Sequence, residues 1–173
     1  DAFDPERTDS FSYGCWFLRN SDERLGTLLA KMDVKNRYRG VDLMVAEGRI
    51  QIHLKHAWPG NAIVVDSVAP VPADQWHHVM VTYDGSSKAS GVTIYLDGQS
   101  VLVKIAADHL SDSIRNNRPL TIGRRDSIHA FHGRIDEVMV FAKCLAPMEV
   151  DQIFQSGVRA AATVPAESRS ADQ

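Results

Sequence analysis

The strongest constraint on the fold is a set of short segments in which apolar and polar residues alternate. The segments cover residues 11–18, 41–45, 50–55, 78–83 and 92–96. Because successive side chains of a strand point to opposite faces of a sheet, each segment predicts a β-strand with one buried face. Glu47-Gly48 and Asp97-Gly98 indicate hairpin turns, in which glycine readily adopts a positive φ. Many short strands separated by turns are typical of an antiparallel sandwich or barrel.

The residues after Pro147 have the spacing of a helix. Pro147 suits the first helical position, and the apolar side chains that follow recur on one helix face. They are Met148, Val150, Ile153 and Phe154. Gly157 is a residue type that commonly ends a helix, so the predicted helix is short and stops there. Residues 159–173 contain few large apolar side chains, and we expect one domain over residues 1–158 followed by a polar linker or tail.

The size and charge of the chain restrict its partners. Its 173 residues suit one domain, and 19 Lys and Arg residues against 22 Asp and Glu residues give a net charge of −3. That balance gives no reason to expect a nucleic acid or an anionic membrane surface as partner. No apolar run approaches the roughly 20 residues that span a bilayer, so membrane insertion is not expected. The chain begins at Asp1, and we expect any export signal to lie outside it.

The two cysteines, Cys15 and Cys144, leave two interpretations open. One pair does not make the disulfide framework of a small secreted domain, and two cysteines alone do not complete a tetrahedral zinc site. Free cysteine is among the most buried residue types, which favours two separate buried thiols. The alternative is a disulfide that joins the first strand to the last, which requires Cα atoms roughly 4.4–6.8 Å apart.

Four segments, in their order and spacing, resemble one family. They are residues 76–85 (WHHVMVTYDG), 92–98 (VTIYLDG), 119–124 (PLTIGR) and 131–138 (FHGRIDEV). Together they resemble the laminin-G-like jelly roll of the concanavalin A-like lectin/glucanase superfamily. The resemblance implies an all-β, two-sheet antiparallel jelly-roll sandwich with adjacent first and last strands and one short C-terminal helix. That helix usually begins after Ser or Thr in the family, whereas Ala146 stands here, so we expect a weaker helix start.

Two further segments narrow this resemblance. Residues 38–43 (YRGVDL) and 53–59 (HLKHAWP) are similar to domains embedded in large exported bacterial proteins. The likeness implies an extracytoplasmic location, whether periplasmic, cell-surface or secreted. It also implies that neighbouring domains of a parent protein are among the partners.

The chain lacks the carboxylate pattern of the superfamily's glycan-cleaving enzymes. Those enzymes place Glu-x-Asp-x-x-Glu, or a close variant, on one strand, so that the carboxylates meet in one cleft. Here Asp4 and Glu6 lie in the N-terminal coil, and the adjacent Asp136 and Glu137 would face opposite sides of a regular strand. The seven histidines show no carboxylate at a defined ligand spacing, which favours surface or hydrogen-bonded histidines. We therefore expect no enzyme activity.

Asp136 is the candidate metal ligand. Ile135 and Val138 are both apolar but three residues apart, which breaks the alternation and indicates a β-bulge at Asp136-Glu137. Ca²⁺ prefers carboxylates and carbonyl oxygens, and the resemblance implies a structural calcium held by this Asp and by carbonyls of the early chain. The alternative is that Asp136 accepts backbone N–H groups at the bulge. No other cofactor is expected.

Six residues are candidates for ligand binding, because sugars bind to aromatic faces flanked by planar hydrogen-bonding groups. They are Tyr38, Arg39, Asp42, His53, Lys55 and Trp58. Asp42, His53 and Lys55 fall on the polar side of two paired segments, so they can share one sheet face. The alternative for these residues is an ordinary solvated face, with Trp58 covering the edge of the core.

The leading functional hypothesis is a non-catalytic module, carbohydrate-binding in the first place, within a larger exported protein. The alternative is a protein-interaction or structural spacer domain, and a glycoside hydrolase is the least favoured possibility. The ligand is therefore expected to be a carbohydrate or a protein.

Overall fold

The computed structural model describes residues 3–127 and 129–163, and the five alternating segments of the sequence all fall within strands. In this part of the chain, strands precede one helix. The elements are β1 (Phe11–Arg19), β2 (Leu25–Asp33), β3 (Arg39–Ala46), β4 (Arg49–Ala57), β5 (Asn61–Ser67), β6 (Trp76–Tyr83), β7 (Val92–Leu96), β8 (Gln99–Ser100), β9 (Val103–Asp108), β10 (Thr121–Ile122), β11 (Gly133–Phe141) and α1 (Pro147–Thr163).

The strands form two antiparallel sheets. One has the order β11-β1-β6-β7-β8, and the other has the order β10-β2-β3-β4-β5-β9. The first long strand pairs with the last, with Ser12 opposite Phe141 and Arg19 opposite Gly133. This arrangement confirms the predicted two-sheet antiparallel jelly roll with adjacent first and last strands.

The hydrophobic core lies between the two sheets and is built from the apolar side of each alternating segment. Phe17 of β1, Leu43 of β3, Ile52 of β4 and Val79 of β6 are all fully buried in it. At roughly 25 cal/mol per Å² of apolar surface removed from water, burial of each such side chain contributes about 1.5–3 kcal/mol to stability.

Strands β2, β5 and β9 were not indicated by alternation. In β2 the register shifts between Thr27 and Leu29, so that Leu28 and Leu29 both join the core. Strand β5 has an almost continuous buried run, because both of its faces are covered. Strand β9 is an edge strand with exposed side chains. Alternation identifies strands that have one buried face and one solvent-exposed face. It therefore does not identify these three strands.

The break in alternation near Asp136 is a β-bulge. Gly14 lies opposite Met139 and Trp16 lies opposite Asp136, so Glu137 and Val138 together oppose one residue of β1. Glu137 has a φ of 47°, which is the local distortion that accommodates the additional residue.

Helix α1 is longer than the sequence predicts, because Gly157 does not end it. The helix continues to Thr163. A Cβ atom at Gly157 would lie 2.7 Å from Nε1 of Trp16, so glycine is needed there for close packing on the sheet. Residues 159–163 of the expected tail are thus helical, and residues 164–173 lie outside the described residues.

At the start of α1, the side chain of Glu149 takes the place of the N-cap side chain that Ala146 lacks. Glu149 Oε2 accepts the Ala146 N–H at 2.8 Å, and Ser12 Oγ accepts the Leu145 N–H at 2.9 Å. The helix covers the outer face of the five-stranded sheet, where the Trp16 and Phe154 rings stack with centroids 5.5 Å apart. The helix that the structure describes is not long and apolar enough to cross a membrane.

The two cysteines are not bridged. Cys15 is buried in β1, and burial raises the pKa of its thiol. Cys144 is exposed, so the expectation that both thiols are buried is wrong for this residue. It lies in the link between β11 and α1, which runs over the surface.

Candidate functional site

The candidate site lies on the outer face of the six-stranded sheet, on the side opposite the core. Strand pairing aligns one residue from each strand in a row across this face. The row is Thr121, Ala30, Asp42, His53, Val64 and Ala107. Asp42 and His53 stand in its centre between small apolar neighbours, because the core residues Leu43 and Ile52 alternate with them along their strands.

Asp42 is the fully buried centre of a polar network. Its Oδ1 lies 2.6 Å from Nδ1 of His53, and its Oδ2 accepts a hydrogen bond from Nη1 of Arg125 at 2.7 Å. Burial by itself would raise the pKa of Asp42. The charge and hydrogen bond of His53, together with the charges of Lys55 and Arg125, outweigh burial and hold this pKa well below its usual value.

Arg125 reaches the site from the loop between β10 and β11. The loop is anchored to β2, since Gly123 N–H donates to the Leu28 carbonyl at 2.8 Å and Thr27 N–H donates to the His129 carbonyl at 3.1 Å. The guanidinium carbon lies 5.3 Å from the centre of the Tyr38 ring, which is cation–π geometry.

Arg125 is a member of the site that the sequence patterns did not indicate. Arg125 belongs to the charged run Arg124-Arg125-Asp126, which is the only local signal of its role. Its partner Asp42 precedes it by 83 residues. No short-range pattern indicates a contact across that separation.

Lys55 occupies the next row of the same face and lies beside two aromatic rings. Its Nζ is 4.9 Å from the Trp58 ring centre and 5.8 Å from the Tyr38 ring centre. The residue is 5% exposed, and burial lowers its pKa, while Asp42 acts in the opposite direction. Among the described residues, the contacts shown for this ammonium group are with these two rings.

The two aromatic rings come from turns that meet at one end of the sheet. Tyr38 lies in the β2–β3 turn with a φ of 61°, and Trp58 lies in the β4–β5 turn. The Trp58 N–H donates to the Arg37 carbonyl at 2.9 Å and joins the turns. Trp58 is 43% exposed, so part of its indole ring is available to a ligand.

Arg39 does not join the other five candidates. It stands next to Gly40, which shares the face of Lys55, and therefore points to the other side of the sheet end. Its Nη2 lies 3.3 Å from Nε2 of His56. It lines a separate cavity of about 470 Å³ with Asp33, Asn116 and Arg118. The structure thus brings together Tyr38, Asp42, His53, Lys55 and Trp58, with Arg125 as an additional member.

A second polar region adjoins the network on the same face. Asp66 of β5 lies opposite Gln51 of β4 and Lys104 of β9, and these residues line a cavity of about 440 Å³ with Arg49 and Glu47. Oδ1 of Asp66 is buried and has no hydrogen-bond partner in the described structure. Burial raises the pKa of Asp66, although His53, Lys104 and Arg49 partly oppose the effect. We name this region the Asp66 groove.

Asp136 is exposed on β11, and its Oδ1 accepts the Glu137 N–H at 2.8 Å. This is the bulge-capping role that the sequence analysis gave as the alternative to calcium. The early chain packs near Val140 and Ala142, close to the end of β11. Within residues 3–127 and 129–163, no group of three or more His, Cys, Asp or Glu side chains is placed to hold a metal ion.

A jelly roll of two antiparallel sheets is the architecture of the laminin-G-like and concanavalin-like class. The sequence model of the concanavalin A-like lectin/glucanases superfamily matches residues 2–151. The chain belongs to this superfamily, and the resemblance stated from the sequence is confirmed. No protein with a curated description matches the sequence.

Solved structures with the same fold are distant in sequence. A proposed carbohydrate-binding protein from Bacteroides ovatus is 18% identical, with a TM-score of 0.63 over 84% of this chain. The binding domain of Paraclostridial Mosquitocidal Protein 1 is 17% identical, with a TM-score of 0.67 over 91% of this chain. This chain spans only 40% and 39% of those two structures.

A third structure is similar in size. It is the CBM40 domain of the Ruminococcus gnavus IT-sialidase, determined with α2,3-sialyllactose bound. It is 16% identical, with a TM-score of 0.68, and the match covers 85% of this chain and 83% of that one. At these identities, the three similarities show the fold.

Proposed function

We propose that this domain is a non-catalytic carbohydrate-binding module of a larger exported protein. The observation that carries the proposal is the half-exposed Trp58 ring beside a fixed network of charged groups on the outer sheet face. The face of an indole ring packs on the C–H face of a pyranose, while charged planar groups bind its hydroxyls. A few well-placed polar groups beside apolar surface are typical of ligand sites in proteins.

The rigidity of the network supports this proposal. Asp42 binds one group from the neighbouring strand and one from a loop, so the orientations of His53 and Arg125 are set before a ligand arrives. A preorganised site loses less conformational freedom on binding. The carbohydrate-binding neighbours with the same fold support the same interpretation.

The chemistry of Asp42 argues against hydrolysis. A glycosidase needs a carboxylic acid that donates a proton, which requires a raised pKa. Asp42 is fully buried and paired with His53 and Arg125, and its pKa is lowered. The pKa of Asp66 is raised, but glycoside hydrolysis needs two carboxyl groups that both reach the substrate, and Asp42 has no exposed surface. We therefore propose a domain that holds a glycan without cleaving it, in a periplasmic, cell-surface or secreted protein.

The proposal is tested by glycan-array binding of the wild-type domain, Trp58→Ala and a matched control. Met148→Ala is that control, because Met148 is 75% exposed but lies on α1, against the other sheet. We expect wild type and Met148→Ala to retain the same glycans. We expect Trp58→Ala to lose about tenfold or more in affinity, since it removes the exposed ring. An array without any retained glycan, or unchanged binding by Trp58→Ala, would contradict the proposal.

A protein partner is the second candidate, and one surface favours it. Val68, Leu102 and Ile105 are 50%, 81% and 50% exposed near the β9 edge of the six-stranded sheet. Exposed apolar residues beside an open strand edge are typical of protein–protein contact. If no glycan is retained, Leu102→Asp in the full-length protein tests whether this edge holds a neighbouring domain.

A further inference from the structure

The outer face of the six-stranded sheet carries two polar regions that differ in which group is left unpaired. One is the Lys55–Trp58 end, and the other is the Asp66 groove. In the strand pairing Lys55 lies opposite Ala62 and Gln51 lies opposite Asp66, four residues further along β5. At about 3.3 Å per residue, the two regions are about 13 Å apart. This distance exceeds the width of one pyranose ring.

The Lys55–Trp58 end contains a lysine that has no ion pair among the described residues. Arg125 is paired with two carboxylates, since its Nη1 lies 2.7 Å from Asp42 and its Nε lies 3.6 Å from Asp126. The Lys55 ammonium instead contacts the faces of two aromatic rings. A largely buried ammonium without an anionic neighbour in hydrogen-bond range favours an anion supplied by a ligand.

The Asp66 groove is balanced in charge and offers an unused acceptor. Arg49 and Lys104 face the carboxylates Glu47 and Asp66 in its lining. The buried Oδ1 of Asp66 has no donor in the described structure, and leaving such an atom unpaired costs roughly 1–3 kcal/mol. A sugar hydroxyl donates one hydrogen bond and would satisfy this oxygen, whereas a ligand carboxylate would be repelled by it.

We propose that the module binds an acidic oligosaccharide lengthwise across this face. The carboxylate of its acidic unit pairs with Lys55 beside Trp58, and the hydroxyls of a neutral unit occupy the Asp66 groove. This inference rests on the proposed function and adds the ligand's charge, minimum length and direction. Reversing the ligand would place its carboxylate against Asp66 and leave Lys55 without a counter-ion.

The test compares matched sugars by isothermal titration calorimetry. The acidic oligosaccharides are α2,3-sialyllactose and cellobiouronic acid, the neutral counterparts are lactose and cellobiose, and the acidic monosaccharides are N-acetylneuraminic acid and glucuronic acid. We expect at least one acidic oligosaccharide to bind about tenfold or more tightly than both its neutral counterpart and its acidic monosaccharide.

Single substitutions then separate the two regions. Lys55→Gln should abolish the preference for the acidic over the neutral oligosaccharide, and Lys55→Arg, which keeps the charge, should restore most of it. Asp66→Asn should reduce the affinity for the acidic oligosaccharide toward that of its monosaccharide. Lys88→Gln removes an equally charged but exposed lysine from the β6–β7 loop and should leave every affinity unchanged. Far-UV circular dichroism of each variant confirms that it is folded.

The outcomes distinguish the two proposals. Two results would overturn this inference while the proposed function stands. In one, glycans bind but acidic and neutral oligosaccharides have equal affinity. In the other, an acidic oligosaccharide binds no more tightly than its acidic monosaccharide. If no sugar binds here or on the array, both are overturned. Acid preference that persists in Lys55→Gln would also overturn the assignment of the carboxylate to Lys55.

Discussion

Asp42 shows how much one buried carboxylate depends on distant parts of the chain. His53 is its cross-strand neighbour in the β3–β4 hairpin, whereas Arg125 comes from a loop between strands β10 and β11. The carboxylate has no exposed surface, and the Arg125 side chain is 7% exposed. Removing one member of such a pair leaves the other charge buried without compensation, which is more costly than losing a surface ion pair.

We expect Asp42→Asn to lower the free energy of unfolding by about 3 kcal/mol, because the amide keeps the shape of the side chain but removes the counter-charge of Arg125. Urea denaturation at pH 7 measures the change. Asp22→Asn, at an exposed position, is the control and should change stability by less than about 0.5 kcal/mol. Equal midpoints for Asp42→Asn and wild type would show that the network contributes nothing to stability.

At the scale of secondary-structure elements, α1 packs on the outer face of the five-stranded sheet and covers a buried histidine. His78 of β6 packs against the stacked rings of Trp16 and Phe154, with ring centroids 5.3 and 6.1 Å away. Neither of its ring nitrogens has a hydrogen-bond partner in the described structure. Burial lowers the pKa of His78 from 6.5 to about 4, against the opposing charge of Asp97.

This histidine should make the docking of α1 sensitive to pH. In the unfolded chain His78 takes up a proton near pH 6.5, whereas in the folded protein it stays neutral down to about pH 4. The unfolded state therefore binds more protons in this window, and the free energy of unfolding falls as pH falls. The full loss is about 3 kcal/mol.

Urea midpoints measured from pH 7.5 to pH 4.5 test this expectation. His78→Leu fills a similar apolar space without a titrating group, so its stability should decline less over the same range. The exposed His109 provides the control, and His109→Gln should follow the wild-type curve. Parallel curves for His78→Leu and wild type would rule out His78 as the source of the pH dependence.

At the scale of the whole molecule, the termini of the domain meet through the pairing of β1 with β11. A metal ion at Asp136 would strengthen this junction, and we keep the structural Ca²⁺ site as a proposal. Asp136, next to the exposed bulge at Glu137–Val138, would supply the carboxylate, and carbonyl oxygens of the early chain would complete the shell. An ion that binds only the folded form raises stability by about 2.7 kcal/mol at a hundredfold excess over its Kd.

Thermal melts with 5-fold and higher excesses of calcium, and then with chelator, test this proposal on wild type and on Asp136→Ala. We expect calcium to raise the Tm of wild type and to have no effect on Asp136→Ala. Glu137→Gln keeps the bulge and tests whether the carboxylate of Glu137 can substitute for that of Asp136 as the calcium ligand. Identical wild-type melts with calcium and with chelator would leave Asp136 as a cap of the bulge alone.

The alternating segments by themselves determined the sandwich and the polar face of the β3–β4 hairpin. Both follow from local physics, because alternation assigns each side chain to a face and a two-residue turn sets the register of its two strands. Asp42, His53 and Lys55 could therefore be placed on one face from the sequence. The break between Ile135 and Val138 indicated the bulge for the same reason.

Only the tertiary structure decided the rest of the site and the length of the helix. Arg125 and Asp66 reach the face through a loop and a doubly buried strand whose neighbours are far away in sequence. Gly157 continues the helix because packing against Trp16 outweighs its local preference to end one. Each of these outcomes depends on contacts between distant segments, which no short-range pattern encodes.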